Sequence, residues 1–200
     1  MTQGRTMPPR SRMSKAARRE QLLDTALAMV RENGTDGLTL VTLAEAAGVS
    51  RPIVYDHFGT RPDLLLALYR RLDERHRLAT RQAVHDAAPT IDDIARVMSA
   101  AYFACATDIP EFDEISAALK GNPQVQRIQQ DMLDTYRDWM ADALQPYSTL
   151  PTAALRLRCV GILGAAETLA AELHRGASSA GEATAALTDL IVGSVGVVSR

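Results

Sequence analysis

Residues 37–65 read GLTLVTLAEAAGVSRPIVYDHFGTRPDLL, and this stretch decides the fold. Thr39 and Ser50 carry short side-chain oxygens suited to capping a helix start. Behind them lie two short apolar-patterned segments, 40–47 and 51–57, separated by Gly48. A helix-turn-helix needs a small residue where its helices touch, a residue tolerant of positive φ in the turn, and apolar plugs on either side. Ala44 is the contact, Gly48 the turn, and Leu43, Val49 and Val54 the plugs. The second helix then turns its first residues outward, a shape that enters a DNA major groove about 12 Å wide. Phe58-Gly59 closes it, and Thr60 caps a long fourth helix expected to run to about Ala87, with Pro62 in its first turn and Asp63 near its positive end.

Upstream, Ser14 caps a helix whose Leu22, Leu23, Ala26, Leu27 and Val30 share one face, and Asn33-Gly34 stops it. Residues 1–13 hold Gly4, Pro8, Pro9 and arginines without apolar periodicity, and are expected to be a disordered basic arm. Such an arm either follows a minor groove by charge attraction or stays a solvated tail. Downstream, Thr90, Pro110 and Pro123 open helices reaching about Cys105, Gly121 and Leu144, and two apolar helices follow at about 152–175 and 182–198. No run of alternating β-branched residues suggests a sheet. The chain is expected to be all-α, with about nine helices.

The chain has 200 residues, 46% apolar and 23% charged, as in a soluble globular protein, and a core of that size needs no disulfide or metal staple. Cys105 and Cys159 stand apart with no CxxC pair or neighbouring histidine, and are expected to be buried free thiols. The chain shows no apolar run of membrane-spanning length and no secretory leader, so a cytoplasmic protein without membrane partners is expected. The net charge of −2 hides an asymmetry: residues 1–81 hold 14 Lys+Arg against 9 Asp+Glu, residues 82–200 hold 8 against 15. The basic half suits a polyanion, and the acidic half has another job.

Tyr55-Asp56-His57-Phe58-Gly59-Thr60-Arg61-Pro62-Asp63-Leu64, taken with Thr39, Ala44, Ala47, Gly48, Val49 and Ser50, resembles the signature of the TetR (tetracycline-repressor-like) family. The resemblance covers residues 16 to about 76 and continues beyond only as helix number and order. It implies a helix-turn-helix DNA-binding domain at 14–62 and a helical ligand-binding and dimerisation domain at 63–200. It also implies that Thr39 and Thr42 touch phosphates, that Ser50, Arg51, Pro52 and Ile53 face the groove, and that Tyr55 and His57 reach the backbone. Arg61 stands where the family favours lysine, and would clamp another phosphate with altered geometry. Arg51 either reads guanine O6 and N7 or contacts phosphate, Ile53 can press on a thymine methyl, and Asp56 has no assigned role.

For the C-terminal part, the resemblance implies a small-molecule effector and a two-fold homodimer. Met98, Tyr102, Cys105, Phe112, Met132, Tyr136 and Trp139 are the candidate walls for a small, largely apolar ligand, and each also reads as ordinary core packing. Glu167 reads as a buried ligand or interface contact, or as an exposed helix position. His76, His85 and the arginines at 70, 71, 75 and 77 read as a solvated face. Gly161, Gly164, Ala186, Leu190, Gly193 and Val197 are the expected dimer interface, a four-helix bundle setting two recognition helices about 34–36 Å apart on double-stranded DNA. Ligand binding would tilt the fourth helix and lower DNA affinity. A protein partner in place of the small molecule, or no effector, remains an alternative. No GxSxG, HExxH, GxGxxG or Walker sequence supports an enzyme, and no cofactor or metal is expected.

Overall fold

The structure is a computed structural model that describes residues 13–121 and 123–195. The expected basic arm, apart from Met13, and the expected interface residue Val197 lie outside them. Within the described residues the chain is all-α: α1 (Lys15–Asn33), α2 (Leu40–Ala46), α3 (Arg51–Phe58), α4 (Arg61–Asp86), α5 (Ile91–Asp108), α6 (Pro110–Ala118), α7 (Pro123–Leu144), a 3₁₀ turn at Gln145–Tyr147, α8 (Thr152–His174) and α9 (Ala180–Ser194). No helix among the described residues is long and apolar enough to cross a membrane.

The chain divides into two compact units, Met1–Leu68 and Tyr69–Arg200. The resemblance implied functional domains at 14–62 and 63–200; the division between compact units falls inside α4, after Leu68. The reason is that Leu64, Leu65 and Leu68 are fully buried, and that Arg61 hydrogen-bonds back to the loop between α1 and α2. The opening turns of α4 therefore complete the first unit's core.

In the first unit, all five residues of the α1 stripe are buried, with Leu38, Leu43, Ala44, Val54 and Phe58. Ser14 accepts from the Ala17 amide at 3.1 Å and begins α1. Thr39 and Thr42 form a reciprocal cap on α2: the Thr39 hydroxyl accepts from the Thr42 amide at 3.0 Å, and the Thr42 hydroxyl from the Thr39 amide at 2.9 Å. Gly48 takes φ +65° in the turn, where a β-carbon would be strained, and the Val49 amide closes the turn on the Ala44 carbonyl at 3.0 Å.

In the second unit, α5 packs on α9, and α8 packs on both α7 and α9. Its core holds Ile94, Met98 and Phe103 from α5, Met140 and Leu144 from α7, Leu155, Cys159 and Ile162 from α8, and Leu187 and Ile191 from α9. Cys159 is a free thiol, and burial pushes it up to about 11, which leaves it unreactive at neutral pH. Helix α9 starts at Ala180, two residues earlier than its pattern suggested. Ser179 and Glu182 form a capping box there, so Glu182 serves as the third residue of the cap and not as the helix start.

Candidate functional site

Helix α3 has two sharply different sides. Val54 and Phe58 are fully or nearly buried, four residues apart, and fasten the helix to its unit. Ser50, Arg51, Pro52, Ile53, Tyr55 and Asp56 are exposed, Ile53 by 36% and Tyr55 by 48%. Ser50 occupies the N-cap position, yet its hydroxyl makes no capping bond. Arg51 reaches back to Glu45 on α2 at 3.2 Å, an exposed pair that holds it only weakly. Glu45, which the sequence reading left out, is thus the carboxylate beside Arg51. A polar, mostly uncommitted first turn is the geometry a groove-reading helix needs.

At the other end of α3 the charge is positive. His57 is half-buried at the end of α3. Burial first, then the charges of Lys15 and Arg19, hold its imidazole below the usual value, with Asp56 opposing and Arg18 adding to the depression. The Arg19 guanidinium lies over the Phe58 ring, 4.9 Å from its centroid, which draws the α1 cations to the α3 end.

Two candidate residue groups are more committed than their sequence suggested. The Thr39 and Thr42 hydroxyls serve the α2 cap, and Thr42 also donates to the Gly37 carbonyl at 2.9 Å. Arg61 donates through Nε to the Leu38 carbonyl at 2.8 Å and through Nη2 to the Thr35 carbonyl at 2.6 Å. Arg61 therefore ties the loop ahead of α2 to the start of α4.

The second unit holds a cavity of about 400 Å³. Four of the seven candidate ligand residues line it: Tyr102 on α5, Phe112 on α6, and Met132 and Tyr136 on α7. Met98 does not; it lies in the core, 2% exposed, because only the C-terminal part of α5 meets the cavity. Trp139 packs beside the core, with its ring 5.4 Å from Tyr136 and 5.8 Å from the Arg81 guanidinium. Cys105 lies on α5, and its side chain is outside the described set.

Apart from Glu167, the rest of the wall went unrecognised in the sequence. From α4 come Tyr69, Asp73, His76 and Arg77, spaced as one helix face, and from α8 come Leu163, Glu167, Ala170, Ala171 and His174, spaced likewise. Arg70 and Arg75 are exposed as expected, but His76 and Arg77 are partly enclosed, because their face meets α7 and α8 residues across the cavity. His85 is exposed as expected. Tyr69 stacks on Phe112 at 4.6 Å between centroids. Arg77 Nε lies 3.1 Å from Asp73, and its Nη2 bonds Glu74. Burial raises the Asp73 carboxyl against the opposing pull of Arg77, and burial lowers His76, whose Nε2 lies 3.4 Å from the Thr80 hydroxyl. The cavity is aromatic at one wall and ionisable at another. Among the described residues no group of three or more His, Cys, Asp or Glu is placed to hold a metal.

On the opposite sides of α8 and α9 from their core faces, Gly161, Gly164, Ala186, Leu190 and Gly193 are exposed, beside Leu157 (73%) and Val160 (49%). A β-carbon built on Gly161, Gly164 or Gly193 meets nothing within 4 Å.

The sequence pattern of the bacterial regulatory proteins, tetR family, matches residues 22–68, which span the packed α1 to the opening turns of α4. Over that stretch the chain is similar to TetR-family regulators. The matched residues include α2 and α3, the pair joined by the Gly48 turn. Among curated TetR-like relatives, the transcriptional repressor Rv1474c of Mycobacterium tuberculosis is 41% identical over 69 residues, covering 34% of this chain and 37% of the relative. The class D tetracycline repressor protein of Escherichia coli is 40% identical over 58 residues, covering 29% of this chain and 27% of that protein. The match thus spans well under half of either relative's length. The TetR fold extends further: a crystal structure described as a TetR-family transcriptional regulator from Rhodococcus sp. superposes with a TM-score of 0.68 at 21% identity, covering 89% of this chain and 98% of that one.

Proposed function

We propose that this chain is a transcriptional repressor that binds a roughly palindromic operator as a homodimer and releases it when a small molecule enters the cavity. The observation that carries the reading is the outward first turn of α3, Ser50 to Ile53 with Tyr55, fixed to its unit by buried Val54 and Phe58. In the groove Arg51 leaves Glu45 for guanine O6 and N7, Ile53 meets a thymine methyl, and Tyr55, His57, Thr39 and Thr42 lie along phosphates. Both curated relatives described above are named as repressors, which supports the sign.

The exposed glycine-bearing faces of α8 and α9 support the dimer, because small residues let two copies approach closely. The cavity favours a small molecule over a protein partner as effector. Coupling between the sites runs through α4, which contributes Arg61 to the first unit and Asp73, His76 and Arg77 to the cavity, and a coupling of about 1–3 kcal/mol is typical of such systems.

Selection from a random duplex library is the direct test. An enriched inverted repeat with half-site centres about 10 base pairs apart, or a multiple of that, is expected. Unchanged sequence after selection would sink the reading. Leu190→Arg should split the dimer in sedimentation and weaken operator binding severely, since an unpaired buried charge costs about 3–5 kcal/mol. A dimer indifferent to Leu190→Arg removes this interface.

A further inference from the structure

We propose that the cavity takes an aromatic cation, a molecule pairing a ring system with an ammonium or amidinium group, whose rings pack on Tyr69, Phe112 and Tyr136 and whose charge is met by Glu167 and Asp73. The inference rests on the effector reading above and specifies the chemistry of that site. Three observations carry it.

The first is the balance of charge. Among the described lining residues the Lys or Arg charge is that of Arg77, and it is already shared between Asp73, 3.1 Å away, and Glu74. Glu167, exposed on α8, adds a carboxylate, and His174 on the same face is the second histidine of the lining. Burial keeps His76 below its usual value, so it adds little positive charge at neutral pH. An anionic ligand would bring a further negative charge against these carboxylates, while a cation compensates them, Asp73 in a half-buried position and Glu167 in an exposed one.

The second is the aromatic wall. Tyr69 and Phe112 lie 4.6 Å apart, and Tyr102 and Tyr136 share the lining. Aromatic faces carry negative potential and attract cations as well as stacking on rings. The third is size: about 400 Å³ admits a ligand of two or three rings.

The test uses the full chain and three probes with one ring system: protonated 2-naphthylmethylamine, 2-naphthylmethanol and 2-naphthoate, titrated by calorimetry. The ammonium should bind about tenfold more tightly than the alcohol, and the carboxylate most weakly. Glu167→Gln should weaken the ammonium about threefold and leave the alcohol unchanged, with the alcohol reporting that the variant folds. Naphthoate binding as tightly as the ammonium, or Glu167→Gln lowering all three alike, overturns the charge assignment and leaves the effector reading standing. Ammonium binding without release of selected operator DNA supports the ligand class and overturns the effector reading. Failure of all three probes to bind overturns the aromatic-cation class and leaves the effector reading standing.

Discussion

The first turns of α3 and α4 lie ten residues apart and each opens on an arginine, but the two arginines are held in opposite ways. Arg51 is exposed and engaged by one exposed carboxylate, Glu45 at 3.2 Å. Arg61 is half-buried and bonded to two backbone carbonyls, those of Thr35 and Leu38. A guanidinium satisfied by backbone acceptors fixes a loop, while one held by a solvated ion pair exchanges that partner at little cost. Position at a helix start therefore does not assign a DNA contact; the competing partners do.

The largest break in this comparison comes from Arg61→Ala. It removes two charge-assisted hydrogen bonds to part-buried carbonyls, and a loss of about 2–4 kcal/mol of stability is expected in urea unfolding. Arg61→Lys should recover part of this, since lysine can satisfy one carbonyl but not the fork. Stability left intact together with a clear loss of DNA affinity would restore the phosphate clamp that the sequence resemblance implied.

Arg51→Ala should do the reverse. Its exposure and single surface ion pair predict a stability change under about 1 kcal/mol, while preference at one base pair per half-site relaxes by about 1–3 kcal/mol. Tyr55→Phe sharpens the contrast further. Removing one exposed hydroxyl should weaken binding to every duplex by a similar amount, about 1 kcal/mol, without altering sequence preference. Competition titrations against single-base operator variants separate the two patterns.

How much of this could be read from residues alone follows from the reach of each interaction. The α3 face was legible because helix period pairs Val54 with Phe58 and puts Ile53 on another side; Arg51 falls on the same stripe as the buried pair and is exposed because it opens the helix. The job of Arg61 was not, because its acceptors are backbone carbonyls 23 and 26 residues away, and a carbonyl has no residue signature. In the cavity, Tyr102, Phe112, Met132 and Tyr136 stood out by side-chain type. Met98 shared their helix face but not their end of the helix, and periodicity carries no information about which end meets a neighbour. Asp73, His76 and Arg77 sat among so many charges that their segment resembled a solvated face. Only the facing stripe on α8, Leu163, Glu167, Ala170 and His174, reveals them as a wall.

The smallest effect concerns His57, at the far end of α3 from Arg51. In the free protein burial and the neighbouring cations Lys15 and Arg19 depress its folded pKa below 6.5. The unfolded chain therefore takes up the proton first as pH falls through 6.5, and the contribution of this group to stability, fully present above that point, declines toward the depressed folded value. A DNA phosphate beside the ring acts the other way, favouring the charged form, so binding takes up a proton in the window between the free and bound pKa values. Stability should thus fall on acidification below pH 6.5 while operator affinity, measured at constant ionic strength, rises. His57→Gln should flatten the affinity slope and leave the part of the stability slope due to His76, whose pKa is also lowered by burial. An affinity slope that survives His57→Gln would move the phosphate contact away from the end of α3 and confine recognition to its exposed first turn.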